Sequence, residues 1–397
     1  MTTRTALIGA GKMARHHLPL MVEAGADIRV ICEPSSENYQ LTCARLTELG
    51  EPPPPNVPVL ADMLAKFAGE LDAVFIITPH KLHHDHAKIC LEAGLDVLLE
   101  KPMVMNAGEA ISLMETRDRT GAHLVVAFQG GLSPQIRHAA GLIASGALGE
   151  LRTVAGMVWQ GWKANTVGGG RPAPAPPGGG GGVDLGGAQQ ENGSKLVGGG
   201  VCAAGGWGGG GGALGGGGCL WGGGVSPPRG GGGARPPPAT AGGGFLFDSG
   251  AHMLNTVCTL VGEDFATVAA WLDNRGAAVD IDGVVMGRLE SGALVTINGC
   301  GDCIPGLENE IYLNMTGGVI RTCMYGRRLL IRRADETELV EVEGLPKMRG
   351  AWEQFMQVRA GEIENPCPPE VGLRMAKLWD AIVESASKDG MPVLAAK

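Results

Sequence analysis

Asp248 and His252 stand four residues apart in the run GGGFLFDSGAHML, residues 242–254. On a helix that spacing puts both side chains on one face, where a carboxylate can orient an imidazole for acid/base work. A second chemical group opens the chain. Gly9, Gly11 and Ala14 make G-x-G-x-x-A around Lys12 and Met13, between an apolar run and a helical pattern. Small residues there permit a tight turn and let a pyrophosphate approach the backbone at a helix N-terminus. Glu33 follows at the end of the second apolar run, about 20 residues on, where an acid binds a ribose 2′-hydroxyl and repels a 2′-phosphate. NAD is therefore expected over NADP, although Ser35 and Ser36 beside Glu33 would tolerate a phosphate.

Two other groupings invite metal or redox chemistry. His80, His83, His84 and His86 fall within one helical turn and the loop before it, without the cysteine or carboxylate complement of a zinc site, so no metal is expected. Cys300 and Cys303 form C-x-x-C after a strand, with neither a helix start nor a second pair beside them, and read as incidental thiols.

The elements that must position these residues fall into two patterns. Through residue 128, short apolar runs (TALIGAG, DIRVICEP, DAVFIITP, DVLLEKP, HLVVAF) alternate with helical segments that stop near a glycine. Continuous apolar strands separated by helices predict an α/β Rossmann domain, a doubly wound parallel sheet over 1–128, with ligands at the carboxyl ends of its strands. Residues 129–397 predict an α+β domain. A helix and a strand come first, then a helix from about Asp248 to Val261, then seven strand-like runs with short turns that favour an antiparallel sheet, then two helices. Between them, residues 168–241 hold about half of the chain's 67 glycines, with no Gly-X-Y period. That composition cannot offset backbone ordering entropy, and the tract is expected to be disordered or an artefact of GC-rich DNA.

Bulk properties exclude several classes. The 397 residues carry 32 Lys+Arg against 41 Asp+Glu, a net charge of −9, with no basic block interleaved with aromatics. A nucleic-acid or anionic-membrane partner is not expected. The ten cysteines are scattered, as in a reducing cytoplasm, and no apolar run reaches a membrane span of roughly 20 residues or forms a signal peptide.

Three stretches together, GAGKMARHH, ITPHKLHHDHAKICLEAGLDVLLEKP and GGGFLFDSGAHML, resemble the glucose-fructose oxidoreductase, inositol dehydrogenase and rhizopine catabolism (Gfo/Idh/MocA) family. The likeness covers residues 4 to about 163 and 242 to 390. It implies a Rossmann domain followed by a large open-faced, mainly antiparallel sheet, and a nicotinamide-dependent dehydrogenase of a sugar, inositol or related polyol. The family's Glu-Lys-Pro signature falls on Glu100, Lys101 and Pro102. Its Asp and His fall on Asp248 and His252, its Thr-Pro-x-x-x-His pattern on Thr78, Pro79 and His83, and a frequent first-helix histidine on His17.

The resemblance gives these residues work. Oxidising an alcohol requires removal of the hydroxyl proton while hydride leaves for the nicotinamide. His252 is the expected base, because an ordinary imidazole titrates near 6.5. Asp248 is expected to bond substrate or bias that imidazole, and Lys101 to stabilise the developing alkoxide. Pro102 is expected to fix the backbone, through either peptide isomer. The cofactor set is Gly9, Gly11, Lys12, Met13, Ala14, Glu33, Thr78, Pro79, His83, Glu100, Lys101 and Gln129, with His83 near the nicotinamide. Trp162 and Lys163 are the candidates for lining the substrate pocket. A homodimer or homotetramer formed through the open sheet is implied. Alternatives are an inactive NAD(P)-binding relative, or a carbonyl or imine reductase using the same pocket in reverse.

Overall fold

The computed structural model describes residues 3–167, 243–304 and 308–395. The expectations for the glycine tract, 168–241, lie outside the described residues.

The first domain is the expected Rossmann unit. Its elements run β1 (Arg4–Ile8), α1 (Lys12–Glu23), β2 (Asp27–Cys32), α2 (Ser36–Glu48), α3 (Leu60–Phe67), β3 (Ala73–Ile76), α4 (His83–Glu92), β4 (Asp96–Leu99), α5 (Ala107–Thr120) and β5 (Leu124–Val126). The five strands pair in parallel in the order β2-β1-β3-β4-β5. Ala6 to Ile8, Val74 to Ile76 and Val97 to Leu99 are wholly buried, as strands covered on both faces require. The order reverses between β1 and β3, so the crevice for a ligand opens at their carboxyl ends, between the glycine turn and the Thr78–Pro79 loop.

Two helices, α6 (Gln129–Leu132) and α7 (Pro134–Ala144), lead to β6 (Leu151–Trp159) and the short α8 (Trp162–Thr166). After residue 242 come α9 (Ala251–Val261), β7 (Phe265–Asp273), β8 (Asp282–Leu289), β9 (Leu294–Cys300), β10 (Glu310–Met315), β11 (Gly318–Cys323), β12 (Leu329–Arg333) and β13 (Val340–Glu341). Then follow α10 (Ala351–Arg359), α11 (Pro369–Ser387) and β14 (Val393–Leu394). Nine strands form one sheet in the order β13-β12-β11-β10-β6-β9-β8-β7-β14, antiparallel except for the β6–β9 pair. β9 alternates exposed and buried positions, the signature of a sheet with one covered face.

The chain then returns to its start. α10 packs on α1 and α11 on α5. Arg359 Nε bonds Asp96 at 2.6 Å, and the Val126 amide donates to Cys367 O at 2.9 Å, so the segment before α11 continues the hydrogen bonding beyond β5. The C-terminal helices are thus shared between the two sheets, which the sequence pattern does not reveal. Among the described residues no helix is long and apolar enough to cross a membrane.

Candidate active site

The glycine turn has the backbone that its sequence demands. Gly9 has φ +91°, and a Cβ there would lie 2.5 Å from Ile77 O, so only glycine fits. Gly11 is different: a Cβ on it would meet nothing within 4 Å. It caps α1 without a side-chain hydrogen bond, leaving first-turn amides of a 12-residue helix facing open space. Across the crevice, Thr78 Oγ1 is buried without a hydrogen-bond partner among the described residues. An open glycine, uncapped amides and an orphaned hydroxyl fit a dinucleotide lying over this turn.

Glu33 is turned inward, only 7% exposed. Its two carboxylate oxygens accept the amides of Ala10 at 2.7 Å and Ser35 at 2.8 Å, so it braces the glycine turn against the loop after β2. Thr42 and Arg15 add bonds of 2.8 Å to Ala10 O.

The Glu-Lys-Pro stretch lies just beyond β4, with Lys101–Pro102 cis. Glu100 accepts from His17 of α1 at 2.5 Å and from the Lys101 amide at 3.0 Å. Burial pushes its carboxyl up, but the His17 bond and charge outweigh that and hold it down at about 2. Glu100 therefore ties Lys101 to the glycine helix as a carboxylate. His83 completes the clasp: its Nδ1 lies 2.8 Å from Pro102 O and its Nε2 2.9 Å from Thr78 O. It is fully buried and burial depresses its pKa to about 4, so the neutral ring donates its single N–H to one of these two carbonyls and lies against the other. His83, expected near the nicotinamide, lies buried between the Thr78 and Pro102 loops. The histidine cluster disperses: His84 bonds Asp85 and Ser112, and His80 packs on His83 and Phe247. Among the described residues no group of three or more His, Cys, Asp or Glu side chains is placed to hold a metal.

The opposite wall comes from the run GGFLFDSGAHML. Asp280 receives the amides of Gly244 at 3.0 Å and Leu246 at 2.8 Å, and a Cβ on Gly244 would collide with its carboxylate. Gly243 and Gly244 are therefore held in close packing against Phe247 and Asp280. Leu246–Gly250 form a single π turn before α9, where a continuous α-helix from Asp248 is expected. The wider turn changes how Asp248 is used. Its Oδ1 accepts from Lys101 Nζ at 2.7 Å and its Oδ2 from Trp162 Nε1 at 2.7 Å. Lys101 Nζ also donates to Asp248 O at 3.0 Å. Asp248 thus orients Lys101, not His252. Burial opposes both charges. Lys101 nevertheless holds Asp248 below the carboxylate range, and Asp248 raises Lys101 above the ordinary lysine value.

His252 is 8% exposed, edge-on to Phe128 and Tyr325, with Nδ1 buried and unpartnered among the described residues. Burial first, then the Lys101 charge, depresses its pKa to about 3. Glu100 and Asp248 offset these effects only in part, which takes the ring well below the expected 6.5. His252 is a neutral acceptor throughout the neutral range.

Gln129 begins α6 at the end of the Rossmann strands. Trp162, 6% exposed, is fixed by Asp248 and by Phe245. Lys163 Nζ lies 3.3 Å from Asp302, beside the Cys300 loop that binds the Gln160 and Lys163 amides. Sequence reading missed Gln160, Ser249 and Tyr325. Ser249 donates to Gln160 Oε1 at 3.0 Å, and Tyr325 packs on His252 from the β11–β12 turn. No motif flags residues brought from such separated strands.

Residues 3–128 match a family described as an oxidoreductase family with an NAD-binding Rossmann fold, and residues 222–321 match the GFO/IDH/MocA C-terminal domain, which reaches back into the glycine-rich tract. Rhizopine catabolism protein MocA of Rhizobium meliloti is 29% identical over 157 residues, covering 39% of this chain and 47% of that protein. Inositol 2-dehydrogenase of Corynebacterium glutamicum is 29% identical over 157 residues, 39% of this chain and 44% of that protein. The matches to such curated relatives span less than half of their length. A levoglucosan dehydrogenase solved with NADH and levoglucosan superposes with a TM-score of 0.71 at 18% identity over 100% of both chains, a likeness of fold.

Proposed function

The chain belongs to the Gfo/Idh/MocA oxidoreductase family and carries its NAD-binding Rossmann domain; from that premise we propose that it is an NAD-dependent dehydrogenase of a CH–OH group on a sugar, inositol or similar polyol. The observation that carries this reading is the Lys101–Asp248 pair beside a neutral, buried His252 at the mouth of the dinucleotide crevice. NAD, when bound, accepts the hydride. The chain's own residues do the rest. The first-turn amides behind Gly11, with Lys12, Met13 and Ala14, take the pyrophosphate, and Thr78 and Pro79 border the nicotinamide side. Glu33, while bracing the turn, keeps lone pairs for a ribose hydroxyl. Lys101, held protonated by Asp248, donates to the substrate oxygen and stabilises its developing negative charge. His252 takes the hydroxyl proton. Its low pKa keeps it unprotonated but makes it a weak base, so the transfer relies on Lys101 acidifying the substrate hydroxyl. Trp162 closes the substrate side over Asp248.

The substrate class follows the relatives named above. Two protomers are expected to pair across the open face of the nine-stranded sheet, where Trp271 and Leu294 are more than 40% exposed. The domains are read as 1–128 and 129–397, with α10 and α11 returning to the first. Purified protein assayed for NADH formation against a panel of polyols, inositols and aldoses tests the activity, and light scattering tests the pairing. NAD binding without turnover on any member of the panel would sink the reading.

A further inference from the structure

Tyr325 has no part in the mechanism above, yet its ring packs on His252. It lies in the turn between β11 and β12, which is gripped from two sides. Thr256 of α9 donates to Met324 O at 2.8 Å, and Ser133, at the head of α7, donates to Gly326 O at 2.7 Å. Gly326 has φ +61°, and a Cβ there would strike Ser133 and Ile136, so this close approach of the turn to α7 requires glycine. Thr256 and His252 are one helical turn apart on α9. The grip therefore sets the Tyr325 ring against the imidazole, with centroids 5.2 Å apart at 71°. Gln160 hydrogen-bonds the phenol and is itself fixed by Ser249, beside Asp248. The Arg327 guanidinium covers the ring at 5.8 Å. Lys101 and Tyr325 lie within electrostatic reach of one another.

We propose that Tyr325 is a further catalytic residue, whose hydroxyl donates, beside Lys101 Nζ, a hydrogen bond to the substrate oxygen as its proton leaves for His252. The proposal rests on the polyol dehydrogenase reading above. Burial raises the phenol and Asp248 raises Lys101, so both remain donors at working pH. Two donors converging on one oxygen stabilise charge that develops only as hydride departs, so losing one acts on kcat rather than on KM.

Tyr325→Phe keeps the ring against His252 and removes only the hydroxyl. The expected result is a kcat roughly 100-fold lower, with the polyol KM and the NAD affinity unchanged and the unfolding midpoint lowered only by the loss of the Gln160 bond. A kcat within about twofold of wild type, or a loss confined to KM, overturns the proposal. The chain has three tyrosines, Tyr39, Tyr312 and Tyr325, so tyrosine labelled with carbon-13 at Cζ gives a second reading without turnover. Assigned by elimination with Tyr39→Phe and Tyr312→Phe, the Tyr325 resonance is expected to move on Lys101→Met and on adding a polyol to NAD-loaded protein. A resonance that stays still in both overturns the placement. Wild-type protein that oxidises no polyol defeats the underlying reading instead, and the response to Lys101→Met then decides the Tyr325 placement alone.

Discussion

Replacing Asp248 with asparagine separates the charge of this group from its shape. The amide keeps the shape and one acceptor oxygen, enough for Trp162 Nε1 while Lys101 retains the Asp248 backbone carbonyl, but it turns an NH2 toward Lys101 and removes the counter-charge 2.7 Å from Lys101 Nζ. At that distance, with an effective dielectric constant near 20, the attraction is about 6 kcal/mol before desolvation is subtracted. Both side chains are mostly buried, with 12% and 28% of their surfaces exposed, so solvent screens little of it. Removing one partner of such a pair costs about 3–5 kcal/mol, because the other charge is left buried. Lys101 escapes that cost by losing its proton. Burial then lowers its pKa without the opposing carboxylate, and the ammonium that stabilises the alkoxide is present only at lower pH. Asp248→Asn is therefore expected to lower the urea midpoint and to reduce kcat/KM about 100-fold or more at pH 8. Activity should recover partly as pH falls and Lys101 regains its proton. Equilibrium unfolding and a kcat/KM–pH profile read both effects. An unchanged midpoint together with a kcat/KM within about threefold of wild type would refute the reasoning.

Other expectations follow from the same geometry. Gly9→Ala must force a Cβ against Ile77 O at a positive φ and should destabilise the fold by about 2 kcal/mol or more. Gly11→Ala, which meets nothing in the protein, should leave the unfolding midpoint intact yet weaken NAD binding at least tenfold; the reverse ordering in thermal melts and NAD titrations would place the cofactor elsewhere. The Glu100 carboxyl, held at about 2 against an ordinary 4.5, contributes stability above about pH 4.5 that is lost as pH falls toward 2. Glu100→Gln should flatten that acid limb in unfolding measured as a function of pH. Because His252 stays neutral down to about 3, kcat/KM should show no inflection near pH 6.5. An inflection there that disappears in His252→Asn would contradict the burial argument.

Much of the fold is readable residue by residue. The unbroken apolar runs around Leu7, Phe75 and Leu98 announce a sheet buried on both faces, and the Gly9–Gly11 spacing announces the turn, because backbone sterics are local. The i, i+4 spacing of Asp248 and His252 is equally visible, but its meaning is not. A π turn intervenes, and the partners of Asp248 come from Lys101, 147 residues away, and Trp162, 86 residues away. His83 looks like a cleft residue in one dimension and becomes a buried clamp once Pro102 O arrives beside it. Glu33 follows β2 as its place in the sequence suggests, but its bonds to the amides of Ala10 and Ser35 carry no signal in the motif. Tyr325 carries no motif at all, since only the pairing of β11 with β12 and the grip of Thr256 bring it to His252.

The central claim, that His252 removes the proton of an alcohol whose hydride passes to NAD, is tested most directly by a pre-steady-state measurement. The rate of NADH formation would be followed in wild type and in His252→Asn on the best substrate of the panel, with NAD affinity measured on both proteins. The account predicts unchanged NAD affinity and a hydride-transfer rate lower by roughly 10²- to 10⁴-fold in the variant. Transfer at the wild-type rate by His252→Asn would contradict it.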